Sequence, residues 1–368
     1  MPTTARVSDP CGRCARRSTL PRPREPKGRA CRRSRCTGEY LEGPLEIRGA
    51  IAVRGGYDCS SWIREAVDGR PIGDREPKSK LVARDSADAF VGLRGDSTGT
   101  PTLDRLSIQA DRVTATVVVA GDATLTELFV TNSYLPPDER LITALWADRA
   151  TLTVESSVLR VASSSVSATN AITASVHSLE STLLLRRSEL RVTDLPAPCQ
   201  GIVGENSTIE LEENTITLDG CTKTLKAAAA AIAGAFANSK VRSTRNAIRI
   251  DRPDNVAADV TRVAGVNVVA EQGVTAVFDS DGDRIVGPAV LGSRATALSF
   301  TGMSLSTPAQ IRNASIVLDS RGYDIRGPNS AAISLQSQGV LAHNTIYFSP
   351  PRADAGPSAI YGIALATR

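Results

Sequence analysis

The sequence has few aromatic residues, few histidines and no long hydrophobic run. Aromatic residues make up 4% of the 368 residues, and only two histidines occur, His177 and His343. A core made mainly of Val, Ile, Leu and Ala suits a slim interior better than a broad globular one. The longest apolar run spans residues 227–237. This run is shorter than the roughly 20 residues that cross a bilayer, so we predict no membrane-spanning segment.

Turn signals typical of antiparallel hairpins are also scarce. The dipeptide Asn-Gly is absent, and Asp-Gly begins only at Asp68, Asp219 and Asp281. An antiparallel β-sandwich needs such signals about every 8 to 12 residues. The sequence therefore argues against that fold, which is the main alternative for a chain rich in short apolar alternations.

A short repeat is present instead. Its clearest copies span residues 150–161, 181–192, 207–218 and 239–250, and each alternates apolar and polar residues on both sides of a Ser or Asn. Period two predicts strands with one buried face. The aliphatic residue after the polar position falls at Leu159, Leu190, Ile216, Ile248, Ile285, Ile316 and Ile346. Successive positions in this series differ in sequence number by 31, 26, 32, 37, 31 and 30.

This spacing predicts an all-β fold, a right-handed parallel β-helix (β-solenoid) with about 31 residues per coil. The aliphatic residues should stack as one buried column. The polar residues should occupy matching bends, where their side chains can bond neighbouring backbone and tolerate tight φ/ψ angles. These bend residues are Ser157, Ser188, Asn214, Asn246, Asp283 and Asn344.

Positive charge is concentrated near the N-terminus. Residues 1–36 carry eleven basic and two acidic residues, a net charge of +9, and subtracting this from the whole-chain charge of +4 leaves −5 for residues 37–368. With hardly any large apolar residue, this segment cannot offset the entropy lost on ordering. We predict a disordered arm at residues 1–44, a capping region at 45–100 and the β-helix at 101–368. No aromatic residue is interleaved for base stacking, so no nucleic-acid partner is predicted.

The cysteines fall into two groups. Cys11, Cys14, Cys31 and Cys36 lie in the arm at a spacing near that of a structural zinc site. The Pro- and Arg-rich segment between them offers little to pack beneath a metal, so disulfides or free thiols are favoured over zinc. Cys199 and Cys221 each follow the last strand of a repeat. Because stacked coils are ~4.8 Å apart, we predict that these two form a disulfide if the protein is exported.

A segment after the arm carries a further signal. Residues 47–62 form an apolar strand that ends in Gly55-Gly56-Tyr57-Asp58 and is followed by Trp62. With the strand PTLDRLSI at 101–108, this segment resembles the leading region of a class of bacterial surface or secreted β-helix proteins abundant in myxobacteria. The resemblance implies an extracellular or cell-envelope location. No apolar stretch follows the early basic residues, so a secretory signal peptide is not expected in this N-terminal sequence.

Candidate chemical groups are few. Asp279, Asp281 and Asp283 alternate along one segment and are the best candidates for a metal site, with calcium as the ion. The alternative is that Asp283 is simply the bend residue of its coil, because the Gly and Glu of an EF-hand loop are missing. His343 directly precedes a bend residue, which favours a solvated turn histidine over a catalytic one. We predict no catalytic residue and no cofactor other than this candidate calcium.

Two functions follow from these observations. The first is a non-enzymatic surface or extracellular β-helix scaffold for adhesion or glycan contact, with a polysaccharide or cell-surface glycan as its partner. The alternative is a carbohydrate-active enzyme, a polysaccharide lyase or glycoside hydrolase, on the same fold. An enzyme should gather carboxylates and basic residues at one place, whereas a structural rod should scatter them.

Overall fold

Strands are the only regular elements in the described part of the chain. The computed structural model describes residues 31–61, 64, 76–84, 87–134, 141–162, 172–193, 199–219, 228–235, 239–250, 262–269, 277–288, 294–301, 308–319, 330–335, 339–349 and 360–365. These ranges contain 31 strands. No helix that could cross a membrane is found in them.

The bounds of the strands are as follows. The N-terminal third contains β1 (Cys31–Cys36), β2 (Gly38–Glu42), β3 (Leu45–Arg48), β4 (Ile51–Tyr57), β5 (Ser79–Ala83), β6 (Ala87–Arg94), β7 (Thr102–Asp104), β8 (Ser107–Ala110), β9 (Val113–Thr126) and β10 (Phe129–Asn132). The middle contains β11 (Leu141–Glu155), β12 (Val158–Ala162), β13 (Ile172–Leu179), β14 (Thr182–Arg186), β15 (Glu189–Thr193), β16 (Cys199–Glu205), β17 (Thr208–Glu212), β18 (Thr215–Asp219), β19 (Ala228–Ala235), β20 (Lys240–Thr244) and β21 (Ala247–Ile250). The remainder contains β22 (Arg262–Val269), β23 (Val277–Asp281), β24 (Arg284–Pro288), β25 (Arg294–Thr301), β26 (Ala309–Arg312), β27 (Ser315–Asp319), β28 (Ser330–Leu335), β29 (Gly339–Ala342), β30 (Thr345–Ser349) and β31 (Ile360–Leu365).

These strands form three stacked rows in which neighbours are parallel. Face A consists of β3, β6, the first parts of β9 and β11, β13, β16, β19, β22, β25, β28 and β31. Face B consists of β1, β4, β7, the second parts of β9 and β11, β14, β17, β20, β23, β26 and β29. Face C is a separate sheet of 11 strands, namely β2, β5, β8, β10, β12, β15, β18, β21, β24, β27 and β30.

The chain visits faces A, B and C in turn and then starts the next coil, which confirms the predicted right-handed parallel β-helix. The predicted aliphatic column is also confirmed. Each of its members is the register partner of the next, from Leu159 to Ile346. All are buried except Ile346, which is half-buried. The alternation in sequence thus places one face of every strand in a continuous apolar core.

The polar bend residues form a second inward column, which we call the polar ladder. It comprises Ser157, Ser188, Asn214, Asn246, Asp283 and Asn344. The backbone N–H of Ser188 donates to Asn214 Oδ1 at 2.9 Å, and that of Asn214 donates to Asn246 Oδ1 at 2.8 Å. Each ladder side chain therefore satisfies a backbone donor of the preceding coil at the corner between faces B and C.

The ladder residues tolerate a tight φ angle, but they do not themselves adopt the positive φ of the corner. The positive φ lies one residue earlier, as at Arg187 (46°), Glu213 (56°) and Arg245 (53°). Those side chains point into solvent, whereas the ladder residues that follow them are buried. At each of these corners, one residue therefore makes the turn and the next residue accepts the hydrogen bond.

The solenoid begins earlier in the chain than the predicted boundaries. Strand β1 pairs with β4, and β2 pairs with β5, so stacked strands already occur before residue 44. Strands β3 to β7 of the predicted capping region also belong to coils. This extends the β-helix N-terminally from the predicted residue 101 to residue 31. Residues 1–30 lie outside the described part of the chain.

The paired glycines near the start have a steric reason. Strand β4 contains Gly55, where an added Cβ would overlap the Arg105 carbonyl oxygen of the next coil. The adjoining Gly56 has a φ of 77°, which side chains rarely adopt. The glycines therefore permit close stacking of the second and third coils. Trp62 lies outside the described residues.

Candidate functional site

The structure separates the three aspartates proposed as calcium ligands. Asp279 faces outward and lies 3.7 Å from Arg242 Nε, and exposed Asp281 accepts a hydrogen bond from Asn313 Nδ2 at 2.8 Å. Asp283 points inward and is fully buried. In the part of the chain that the structure describes, no three His, Cys, Asp or Glu side chains group to hold a metal. Calcium binding therefore has no convergent ligand set there.

Asp283 is the one acidic member of the polar ladder. Its Oδ1 accepts from the Asn246 N–H at 2.8 Å, and its Oδ2 accepts from Ser280 Oγ at 2.7 Å. Burial raises the pKa of Asp283, while the hydrogen bonds from Ser280, Asn246 and Ser243 oppose the rise. Asp283 therefore lies at the bend of its coil, as the alternative interpretation of the sequence predicts.

Replacing Asp283 by Asn should stabilise the protein at neutral pH. An amide keeps the accepting Oδ1 and gains a donor, and Asn214 and Asn246 use that donor to bond a carbonyl of the preceding coil. Since the folded-state pKa is raised, the aspartate stabilises the fold below its unfolded pKa of about 3.9. That contribution is lost as pH rises through the folded-state pKa.

We expect the free energy of unfolding of Asp283→Asn, measured in urea, to be about 1 to 3 kcal/mol higher than that of the wild type at pH 7. This difference should shrink toward pH 4. Asp281→Asn, exposed on face B, is the matched control and should change little. A variant less stable than the wild type at pH 7 would contradict the assignment.

Some of the cysteines for which the sequence makes predictions lie among the described residues. Cys199 is disulfide-bonded, and so is Cys59. Cys221 lies outside the described residues, so the pairing of Cys199 with Cys221 stays a prediction. Cys11 and Cys14 lie outside as well, and the zinc hypothesis for the arm is untested. The structure places His343 exposed at a corner with a φ of 56°, as a turn histidine should be.

A chemical cluster that the sequence did not reveal lies on the outer side of face A. Trp146 of β11 and His177 of β13 are register partners on adjacent coils. Their chain neighbours Leu145 and Val176 belong to the apolar core, so the two rings face outward. Asp148 lies two residues beyond Trp146, and Glu205 of β16 lies two coils from Asp148 in the same register. We call Thr143, Trp146, Asp148, His177 and Glu205 the face A cluster.

The imidazole of His177 is held between an aromatic ring and a carboxylate. The ring centroids of Trp146 and His177 are 5.1 Å apart, with 48° between the planes. His177 Nε2 lies 3.3 Å from Glu205 Oε1, and the residue is only 5% exposed. Burial lowers the pKa of His177, while Glu205 and Asp148 act in the opposite direction. Because a carboxylate only accepts, Nε2 carries the proton and the Nδ1 lone pair of the neutral ring is an acceptor.

Three polar atoms in the face A cluster are buried without a hydrogen-bond partner. They are Thr143 Oγ1, Trp146 Nε1 and His177 Nδ1. Thr143 lies three residues before Trp146 on β11 and is fully buried. Such groups usually cost about 1 to 3 kcal/mol each when left unpaired. A hydroxyl, an N–H donor and a ring acceptor of β11 and β13 are therefore buried without a partner.

Two carboxylates flank the imidazole along the solenoid axis. Asp148, Leu179 and Glu205 are successive register partners, which separates the two acidic residues by about 10 Å, twice the ~4.8 Å coil spacing. Asp148 is bonded by Arg149, whose Nε lies 3.2 Å from Oδ1. On face B, by contrast, opposite charges alternate from coil to coil, as in the pairs Arg186–Glu212 and Arg242–Asp279.

The repeat spacing contained the signal for this cluster. Trp146 and His177 differ in sequence number by the same amount as Leu159 and Leu190, and Leu179 and Glu205 differ by the same amount as Leu190 and Ile216. The bend positions alone do not show which outward residues align.

No family model matches the sequence, and a comparison with curated proteins finds no match. Among solved structures, the chain is similar to the catalytic unit of a thermostable GH87 α-1,3-glucanase from Streptomyces thermodiastaticus, with a TM-score of 0.38 and 10% identity over 91% of this chain. The catalytic domain of a GH87 α-1,3-glucanase in complex with nigerose has a TM-score of 0.32 and 10% identity over 89% of this chain.

The chain spans 62% and 63% of the length of those two proteins. With TM-scores below 0.5 and about 10% identity, neither the fold nor the activity of those proteins is assigned to this chain.

Proposed function

We propose that this chain is an extracellular β-solenoid that binds a glycan on face A, with Trp146 as the platform for a sugar ring. The observation that carries the proposal is the set of three unpartnered buried polar atoms beside an outward-facing indole and imidazole. Indole faces pack against apolar C–H surfaces, while hydroxyl groups pair with isolated donors and acceptors. A purely structural cluster would leave three desolvated groups uncompensated.

The surroundings of the two rings along the stack of coils are uncharged. Within the same outward column, Trp146 and His177 are flanked by the apolar residues Val118 and Val203. The disulfide-bonded Cys59 and Cys199 support an oxidising compartment. We therefore also propose the extracellular or cell-envelope location that the resemblance to bacterial surface proteins implies. Glycan contact is the form of the scaffold function that the cluster favours.

One observation favours a second candidate function, a glycoside hydrolase. Asp148 and Glu205 project from the same face about 10 Å apart at Cα, with His177 between them. Inverting glycosidases hold their two carboxyl groups about 6.5 to 9.5 Å apart. The face A cluster therefore places two carboxylates on one face, as the enzyme alternative requires, although the bend positions did not reveal them.

The two candidates differ in what neutralising the carboxylates does. A glycan array followed by a reducing-sugar assay on every polysaccharide that binds should show binding without cleavage. We expect Asp148→Asn and Glu205→Gln to change the affinity by no more than a few fold, as should the control Glu210→Gln on face B. If the protein cleaves a bound polysaccharide and either cluster variant lowers the rate about 100-fold or more, the hydrolase replaces the scaffold. If nothing binds, the proposal is wrong.

A further inference from the structure

We infer that the face A cluster selects uncharged sugars and discriminates against uronates. This inference rests on the proposed function and names the class of glycan that the site would take. Among the described residues of face A from β9 to β16 and of the adjoining corner, the charged side chains at the cluster are three carboxylates, Asp148, Glu180 and Glu205, and one guanidinium, Arg149. The site therefore has an excess of negative charge.

The single guanidinium is already engaged. Arg149 Nε and Nη2 lie 3.2 and 3.4 Å from the two oxygens of Asp148, and its side chain is 73% exposed. A sugar carboxylate is normally recognised by an arginine or lysine that can turn both donors toward it. Recruiting Arg149 for a uronate would strip Asp148 of its partner and leave another carboxylate uncompensated beside the ligand.

His177 does not supply the missing positive charge. Its side chain is buried, and burial lowers its pKa, so the ring is neutral at pH 7. Its Nε2–H is directed at Glu205, which leaves only the accepting Nδ1 free of a protein partner. An acceptor of this kind binds a hydroxyl hydrogen and repels a carboxylate oxygen.

The unpartnered atoms are complementary to hydroxyl groups. Trp146 Nε1–H can donate to a hydroxyl oxygen, His177 Nδ1 can accept its hydrogen, and Thr143 Oγ1 can do either. None of the three carries a formal charge, so a neutral hexose residue satisfies them without bringing an unpaired charge to the site. The outward neighbours Val118, Leu179 and Val203 are likewise uncharged.

Isothermal titration at pH 7 tests this selectivity with soluble neutral glucans and galactomannan and with polygalacturonate. We expect a neutral polysaccharide to bind at least tenfold more tightly than polygalacturonate. Glu205→Gln combined with Asp148→Asn should narrow that ratio, and so should high salt, which screens exposed carboxylates. Glu210→Gln on face B is the control and should leave the ratio unchanged. Glu205→Gln alone, checked for an unchanged melting temperature, replaces the double variant if that variant does not fold.

The outcomes separate the inference from the function on which it rests. Polygalacturonate bound as tightly as any neutral polysaccharide, with the binding lost in Trp146→Ala, would overturn the selectivity while the glycan site stands. Both are supported if Trp146→Ala weakens the binding of a neutral polysaccharide and the wild type binds polygalacturonate at least tenfold more weakly than that polysaccharide. Absence of binding to all of these polymers overturns both.

Discussion

Replacing Ile216 by Asp should lower the free energy of unfolding by about 4 kcal/mol or more, because an unpaired carboxylate would be buried in the core. Ile216 is fully buried in β18, between its register partners Leu190 and Ile248. In a stacked array each coil is stabilised mainly by its neighbours, so the damage should be local and spread over adjacent coils. Urea unfolding gives the loss, and hydrogen exchange locates it at β15, β18 and β21.

The adjoining residue offers a matched control. Thr217 lies on the outer side of the same strand, and its register partners on the two adjacent coils are Arg191 and Arg249. Thr217→Asp should therefore change stability little, because the new carboxylate lies in solvent between two guanidinium groups. Equal stability of Ile216→Asp and the wild type would contradict the buried column.

Trp146→Ala should weaken glycan binding by about 30-fold or more, since truncating a central aromatic anchor typically costs at least about 2 kcal/mol. The residue is half-buried on the outer side of β11, so the fold should survive the change. Trp146→Phe keeps a ring and loses the Nε1 donor, and its affinity should lie between those of the wild type and the alanine variant.

Val118→Ala alters the same outward column one coil away and is the control for a general change of face A. It should bind within a few fold of the wild type. An unchanged affinity in Trp146→Ala would show that the glycan contacts another part of the solenoid.

The architecture could be predicted from the sequence because a one-dimensional stack repeats the same physical requirement in every coil. The aliphatic residues from Leu159 to Ile346 each need burial at the same place, and the spacing reveals this directly. The positions of the polar ladder could be predicted as well, but the backbone conformation of its residues could not. A Ser or Asn is compatible both with a positive φ and with accepting a bond, so the sequence could not tell that Arg187 or Glu213 makes the turn.

The first coils were missed for a different reason. Residues 31–42 contain many charged side chains and few apolar ones, which argued for disorder. Strands β1 and β2 nevertheless pair with β4 and β5 through their backbones, and Leu41 of β2 is 61% exposed. Strand β2 is thus held by ladder hydrogen bonds with little side-chain burial, which composition does not record.

The face A cluster depends on register across coils of unequal length. The coil that separates Trp146 from His177 is longer than the coil that separates Leu179 from Glu205, yet each pair is in register. Only an alignment of every outward position, and not of the bends alone, brings the indole, the imidazole and the two carboxylates together. The burial of His177 is a tertiary property that no local pattern contains.

The most direct test of the glycan site is the fluorescence of Trp146 itself. The chain has two tryptophans, so Trp62→Phe leaves Trp146 as the only indole. Titration of this variant with a neutral polysaccharide should change the indole emission saturably, with a midpoint equal to the Kd from calorimetry. Calorimetric binding of the polysaccharide with no change in Trp146 emission would show that face A is not where the glycan binds.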